Sequence, residues 1–287
     1  MLLMTALGVM LAAGIVLTLR WGGVPYQPWY AAPADSAEPP SLRTAAMTYL
    51  RGVAVALAGG FWAGALVTGP AVRLIMRLLA VTAGERAQGL RTEADEVVGQ
   101  INLDGTMGLF IFGGVLPALL SGAIYVVVRR WLPAGRTGGV VFGVLHLVLA
   151  ATHLDPLRPG NRDFGLVGPG WLSVLTFGAA AVFHGMAVVA FANRFSTTFP
   201  PATAERSAWV RSSLPLALPA LFAIFTIFIP VAIAIGLVVA LLITRLAHVS
   251  RIARSPRLIR FGRVAITLAA LGTLPGTVSD LVHIITA

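Results

Sequence analysis

Long apolar runs alternate with short polar joints along the whole chain. A helix crossing about 30 Å of hydrocarbon needs about 20 apolar residues. The runs at 1–19, 46–68, 107–128, 138–153, 171–192, 214–244 and 264–286 meet or approach that length. The pattern predicts an all-α, polytopic transmembrane helical bundle of about seven spans, with six to eight as bounds. The first run, closed by Arg20, has no basic leader and no small-residue cleavage pattern, so it reads as a span. Residues 21–44 carry Pro25, Pro28, Pro33, Pro39 and Pro40 and read as a linker. Ala56, Gly60 and Gly64 recur every fourth residue in the second run and predict close helix packing.

The longest polar interval is 71–106, with four Arg and five acidic residues. Gly69-Pro70 predicts the end of the second span, and 71–81 an amphipathic helix in the membrane interface. Its Arg73 and Arg77 lie one turn apart, on one face, towards phosphates. Thr92 followed by Glu93, Asp95 and Glu96 predicts a helix start, where a capping hydroxyl and first-turn acids are favourable. Arg73, Arg77, Glu93, Asp95 and Glu96 make this interval the expected docking surface, for anionic phospholipid headgroups and for a protein partner. A second, basic amphipathic segment is expected at 245–263, where Arg recurs at 251, 254, 257, 260 and 263.

The run 214–244 divides two lines of reasoning. Its length favours one tilted span kinked by Pro215, Pro219 and Pro230, because two spans and a turn need about 40 residues. Seven spans then split the arginines 12 against 9. Two spans, or a re-entrant hairpin broken at Pro230, split them 15 against 6 and obey the positive-inside rule better. The length argument puts the N-terminus and 71–106 in the cytoplasm; the charge argument puts both outside.

Composition sharpens this picture. Of 287 residues, 57% are hydrophobic and 11% charged, against about 25% charged in soluble domains. The net charge of +10 comes from 21 Arg and no Lys. Arg-rich inner loops account for it, and no basic stripe with interleaved aromatics points to nucleic acid. Without Cys there is no disulfide, thiolate nucleophile or cysteine-ligated metal. Without Lys there is no Schiff base. No Walker loop, dinucleotide fingerprint, nucleophile elbow or zinc signature occurs.

Ionisable residues inside spans are costly and are therefore the candidates for chemistry. They are Arg51, His146, His184, Asp280 and His283. In a seven-span layout Arg51 and Asp280 share a depth, so an ion or proton pathway through Arg51, Asp280 and His283 is one reading. Snorkelling to the headgroups is the plainer one. The sequence Gly272-Thr-Leu-Pro-Gly-Thr277 before Asp280 resembles the discontinuous helices of transporters; a packed proline kink is the plainer reading. His146 and His184 sit at similar depths and could hold a haem or metal between them, although a lone span histidine more often bonds a neighbouring helix. His153, Asp155 and Asp163 could meet at a loop metal, while turn and capping duty explains the acids without one. On balance no bound cofactor and no enzyme activity are expected.

Arg73-Leu-Ile-Met-Arg77 with Glu96-Val-Val-Gly-Gln-Ile-Asn-Leu-Asp-Gly-Thr106, and Leu154-Asp155-Pro156, Asn161, Asp163-Phe164 and Gly168-Pro-Gly-Trp-Leu172, resemble a pattern in uncharacterised multi-span membrane proteins of actinobacteria and related bacteria. The resemblance covers about 50–192. It implies a multi-pass protein of the bacterial plasma (inner) membrane and carries no activity with it. The expected function is a non-catalytic accessory, scaffold or sensing subunit. The alternatives are a small ion- or proton-coupled transporter or channel, and a membrane enzyme with haem or metal on His146 and His184.

Overall fold

The computed structural model describes residues 1–28, 41–153, 157–201, 204–226, 228–245 and 255–286. Its regular elements are helical apart from one isolated bridge, Arg91 to Val97. The main ones are α1 (Leu2–Trp21), α2 (Leu42–Thr82), α3 (Leu103–Trp131), α4 (Gly135–Ala151), α5 (Gly170–Thr198), α6 (Arg206–Ser212), α7 (Ala217–Phe225), α8 (Phe228–Arg245) and α9 (Pro256–Thr286). Helices α1, α2, α3, α5 and α9 are long and apolar enough to cross a membrane, and α4 is a shorter apolar helix. In the apolar windows of α1 and α9 only 17% and 11% of residues are buried. Most of their apolar surface therefore faces outward, as lipid-facing helices require.

Helices α2 and α5 form the centre. Val55, Ala58, Val188, Phe191 and Ala192 are almost completely buried between them. Glycine sets how closely the helices approach. A side chain at Gly60 would overlap the Ala118 carbonyl, one at Gly64 would sit 2.8 Å from Val115 Cα, and Gly122 meets the Ala56 carbonyl in the same way. The Ala56, Gly60, Gly64 spacing is thus the seam between α2 and α3. Gly143 and Gly185 bring α4 and α5 backbone to backbone.

Helix α2 runs 41 residues. At 1.5 Å per residue that is about 60 Å, twice the hydrocarbon thickness. Gly69-Pro70 does not end it, and 71–81 is not a separate interfacial helix. A proline ring clashes with the carbonyl four residues back, and here the backbone widens into a π turn, Gly64–Thr68, just ahead of Pro70. The same device recurs in α3, where the π turn Ile111–Val115 precedes Pro117. A third π turn, Leu147–Ala151, closes α4.

Three further expectations are corrected. The run 214–244 is not one span. α7 packs Phe222 on Phe61 of α2, the helix stops at Thr226, and α8 returns to the first turns of α2, where the Tyr49 hydroxyl donates to the Ile233 carbonyl at 3.0 Å. Pro230 falls in the first turn of α8, where its missing N–H costs nothing. The hairpin thus enters and leaves at one end. The Gly272–Thr277 sequence does not break α9, which runs 31 residues with Pro275 inside it. Residues 92–102 are not a helix. Asp95 has φ 62°, Thr92 N–H donates to the Glu96 carbonyl at 2.8 Å and Val98 N–H to the Leu90 carbonyl at 2.9 Å, which makes a tight hairpin. Of the expected basic segment 245–263, residues 246–254 lie outside the described residues, and 256–263 are the first turns of α9.

The chain therefore has two ends. One gathers Trp21, Arg51, Arg129, Thr198 and Gly262. The other gathers Thr82, Leu103, Gly170 and Ile284, with a side chain at Gly170 blocked by the Ile284 carbonyl.

Candidate functional site

A cavity of about 900 Å³ opens at the second end. The overlong α2 makes one wall with Val72, Arg73, Met76 and Arg77. The first turns of α3 make the facing wall, from Gly105 to Pro117, and Phe177 of α5 lies at the depth of the apolar floor. On α3 those thirteen residues descend about 18 Å. The mouth is polar and the floor apolar. Phe112, which lines the cavity, is 72% exposed, so the cavity opens sideways between helices as well as upward.

The 88–102 hairpin closes the mouth, and each of its anchors is visible. Arg77 donates to the Gly99 carbonyl at 3.0 Å, and Arg73 to the Thr106 hydroxyl at 3.0 Å. Asn102 caps α3, accepting from Gly105 N–H at 2.9 Å, and donates to the Glu96 carboxylate at 3.1 Å. That carboxylate rests against Gly105, where the first-turn amides favour negative charge. Glu93 pairs with Arg158 at 2.6 Å, and its N–H donates to Asp163 at 2.8 Å. The hydrogen bond from Arg158, with its charge, holds the Glu93 carboxyl below the usual carboxylate range. Asp95 pairs with Arg91 at 2.9 Å in an exposed pair. The acids of the mouth are thus engaged within the protein. Arg73 and Arg77 both line the cavity and donate to neutral oxygens, those of Thr106, Gln100 and Gly99, and the Glu96 carboxylate acts on Arg73 through its charge.

The five intramembrane candidates separate. Arg51 is 3% exposed and lies at the first end. Its guanidinium donates to the carbonyls of Ser196 at 2.6 Å, Phe199 at 3.1 Å and Pro200 at 2.8 Å, closing the C-terminus of α5. Beside it Arg129 stacks over the Tyr26 ring at 4.0 Å, and burial pushes the Tyr26 phenol up to about 12 against the pull of Arg129 and Arg51. Asp280 and His283 lie near the opposite end of α9, so the expected Arg51–Asp280 pathway is not assembled. Their shared depth rested on a seven-span layout, which the hairpin at 226 replaces.

His146 and His184 do meet, with ring centroids 5.2 Å apart. The Ser121 hydroxyl sits between them, 2.8 Å from His146 Nε2 and 2.9 Å from His184 Nε2. His146 Nδ1 is 2.9 Å from the Phe142 carbonyl, and His184 Nδ1 is 2.7 Å from the Thr68 hydroxyl. All four ring nitrogens are thus engaged by protein groups, and the Ser121 hydroxyl stands between the two Nε2 atoms. Among the described residues no group of three His, Cys, Asp or Glu could hold a metal ion. His153 takes the Thr152 hydroxyl, Asp163 takes Glu93 N–H, and Asp155 lies outside the described residues.

Sequence reasoning missed Thr68 and Ser121, and it missed the cavity. Neither residue is ionisable, so a search for costly charges passes over them. Each stands in a helix with a proline-preceding π turn, a signal that was readable as Pro70 and Pro117 inside long apolar runs. Protein-family models, curated proteins and solved structures return no match to this chain.

Proposed function

We propose that this is a non-catalytic, multi-pass protein of a bacterial plasma membrane, an accessory or sensing subunit that binds an anionic amphiphile in the 900 Å³ cavity. The carrying observation is the pairing of two arginines at the mouth, held by neutral oxygens, with an apolar floor reachable from the side. A phosphate or carboxylate fits the arginines by charge-assisted hydrogen bonds, and an acyl chain fits the floor. The exposed Arg91–Asp95 pair on the rim would serve a protein partner of such a subunit.

In this reading α1 to α5 and α9 cross the bilayer, six crossings in all, and α6 to α8 form a re-entrant hairpin. Of the 19 arginines among the described residues, six (73, 77, 86, 91, 158 and 162) then lie at the cavity end and 13 at the other. The positive-inside rule puts the cavity outside the cytoplasm.

The test is native mass spectrometry of the protein extracted in mild detergent. We expect a bound anionic lipid, reduced at least about tenfold by Arg73→Gln with Arg77→Gln, since each charged hydrogen bond contributes about 1.5–3 kcal/mol. Equal lipid on both proteins refutes the reading.

A further inference from the structure

The histidine pair is not an isolated curiosity of the core. It lies directly beneath the cavity, on the same helix faces. Val72 of the wall is one turn from Thr68, Pro117 is one turn from Ser121, and Phe177 is two turns from His184. Three helices thus carry a cavity-lining residue and a chain residue at helical spacing, and π turns in α2 and α3 lie between or beside them. Such turns are frequent at functional sites.

One atom fixes the direction of every hydrogen bond in the chain. The Phe142 carbonyl can only accept, so in neutral His146 the proton is on Nδ1 and Nε2 is bare. The Ser121 hydroxyl must then donate to His146 Nε2. Its single proton is used, so its oxygen accepts from His184 Nε2–H. That leaves His184 Nδ1 bare, and the Thr68 hydroxyl donates to it. The four bonds point one way, from the cavity side towards Phe142.

We propose that Thr68, His184, Ser121 and His146 form a proton-binding site at the closed end of the cavity, which takes one proton in at Thr68 and stores it on His146. The balance is simple. A proton arriving on the Thr68 oxygen releases the Thr68 proton to His184 Nδ1. His184 passes its Nε2 proton to Ser121, and Ser121 passes its own to His146 Nε2. The products are an imidazolium at His146, a neutral His184 carrying its proton on Nδ1, and a chain in which the three bonds from Thr68 to His146 have reversed while His146 Nδ1–H still donates to the Phe142 carbonyl. No bond between heavy atoms changes. The imidazolium keeps two acceptors, the Phe142 carbonyl and Ser121, and lies 4.4 Å from the Phe142 ring centroid, edge to face.

The site is a store and not a conduit, because the chain ends on a carbonyl. Beyond Phe142 comes Tyr125, whose hydroxyl is committed to Asn193 at 2.6 Å. The surrounding helices leave the site free of fixed charge over its own depth. On α2 the nearest charged residues are Arg51 and Arg73. On α3 they are Asp104 and Arg129, with Tyr125 the titratable neighbour. α4 offers Arg136, α5 Arg194, and α1 Arg20. α9 brings the closest acid, Asp280, one turn beyond Thr277, whose hydroxyl donates to the Val148 carbonyl near His146 at 3.0 Å. His283 follows a further turn away. A cation stored on His146 would draw an anion into the cavity above it, so proton uptake and anion binding would assist each other. The proton site itself does not depend on which ligand the cavity takes.

The experiment is nitrogen-15 NMR of the full-length protein in nanodiscs, labelled at histidine, with His153, His248 and His283 replaced by Asn to leave two rings. At about pH 8 we expect one ring protonated on Nδ1 (His146) and one on Nε2 (His184). On acidification to about pH 5, within the range where histidine titrates, His146 should become imidazolium while His184 changes to the Nδ1–H form in the same step. Ser121→Ala should abolish that concerted change, with His184 keeping its Nε2 proton at both pH values. Two neutral rings with unchanged tautomers at about pH 5, in protein still monodisperse, would overturn the proposal. So would a resting His184 protonated on Nδ1. The wild-type spectra alone decide the matter if the serine variant does not fold, and Thr68→Val then serves as the second break in the chain.

Discussion

The contact between α4 and α5 offers the sharpest test of the packing argument. A methyl group added at Gly185 would overlap Gly143 backbone atoms and come within 2.9 Å of the Phe142 carbonyl carbon. Ordinary carbon contacts need about 3.5–4 Å, so Gly185→Ala must push the two helices about 1 Å apart. Overpacking of this kind costs about 1–3 kcal/mol. The displacement also pulls His146 from His184, stretching the two bonds that meet on Ser121, now 2.8 and 2.9 Å. Interhelical hydrogen bonds in membranes contribute about 0.6 kcal/mol each. The expected total is about 2–4 kcal/mol, a change of about 30- to 700-fold in the folding equilibrium. Gly178, two turns earlier on the same helix, is the control, since nothing lies within 4 Å of an added methyl there. Gly178→Ala should be neutral or stabilising by up to about 1 kcal/mol, from helix propensity. Steric trapping in bicelles measures both. If Gly185→Ala lies within about 0.5 kcal/mol of wild type, the α4–α5 contact is not the tight seam described, and the geometry of the histidine chain falls with it.

Other expectations follow from separate contacts. Arg51→Met leaves the last carbonyls of α5 without a donor and should cost about 2–4 kcal/mol, read as a lowered thermal midpoint in detergent; an unchanged midpoint would mean water serves those carbonyls equally well. The Glu93–Arg158 pair makes closure of the mouth pH-dependent with a defined sign. Because the folded carboxyl titrates below its unfolded value, the contribution is complete above about pH 4.3 and is lost as pH falls through the depressed value. Hydrogen exchange in 88–100 should therefore be flat from about pH 7 to 5 after correction for intrinsic rates, and Glu93→Gln should raise it already at pH 7. The chain has no Cys, so a single cysteine at Asp95 or at Arg211 reports sidedness directly. An impermeant maleimide should label the first in intact cells and spare the second; the reverse pattern would invert the proposed orientation.

The sequence by itself determined that this chain is helical, apolar over most of its length, and joined by small-residue seams. These are properties of local composition, and a period of four at Ala56, Gly60 and Gly64 needs no partner to be read. It also held the 15-to-6 distribution of arginines that supports the hairpin layout proposed above, which the length argument outweighed. Length misleads there because the run 214–244 is divided by its own turn at Thr226, and a hairpin that enters only part-way needs far fewer residues than two crossings. Only the tertiary structure decided what the prolines do. Pro70 reads as a helix end, yet a π turn ahead of it lets the helix continue, as another does ahead of Pro117, and α2 becomes long enough to raise Arg73 and Arg77 into a cavity wall. The same holds for 92–102, where acids suited to a helix start are recruited by Arg158, Asn102 and the first turn of α3 to close that cavity. His146 and His184 were singled out by their cost in an apolar span. Their partners Thr68 and Ser121 are ordinary residues in sequence, and only the crossing of four helices puts a hydroxyl at each end of the His184 imidazole and shares one of them with His146.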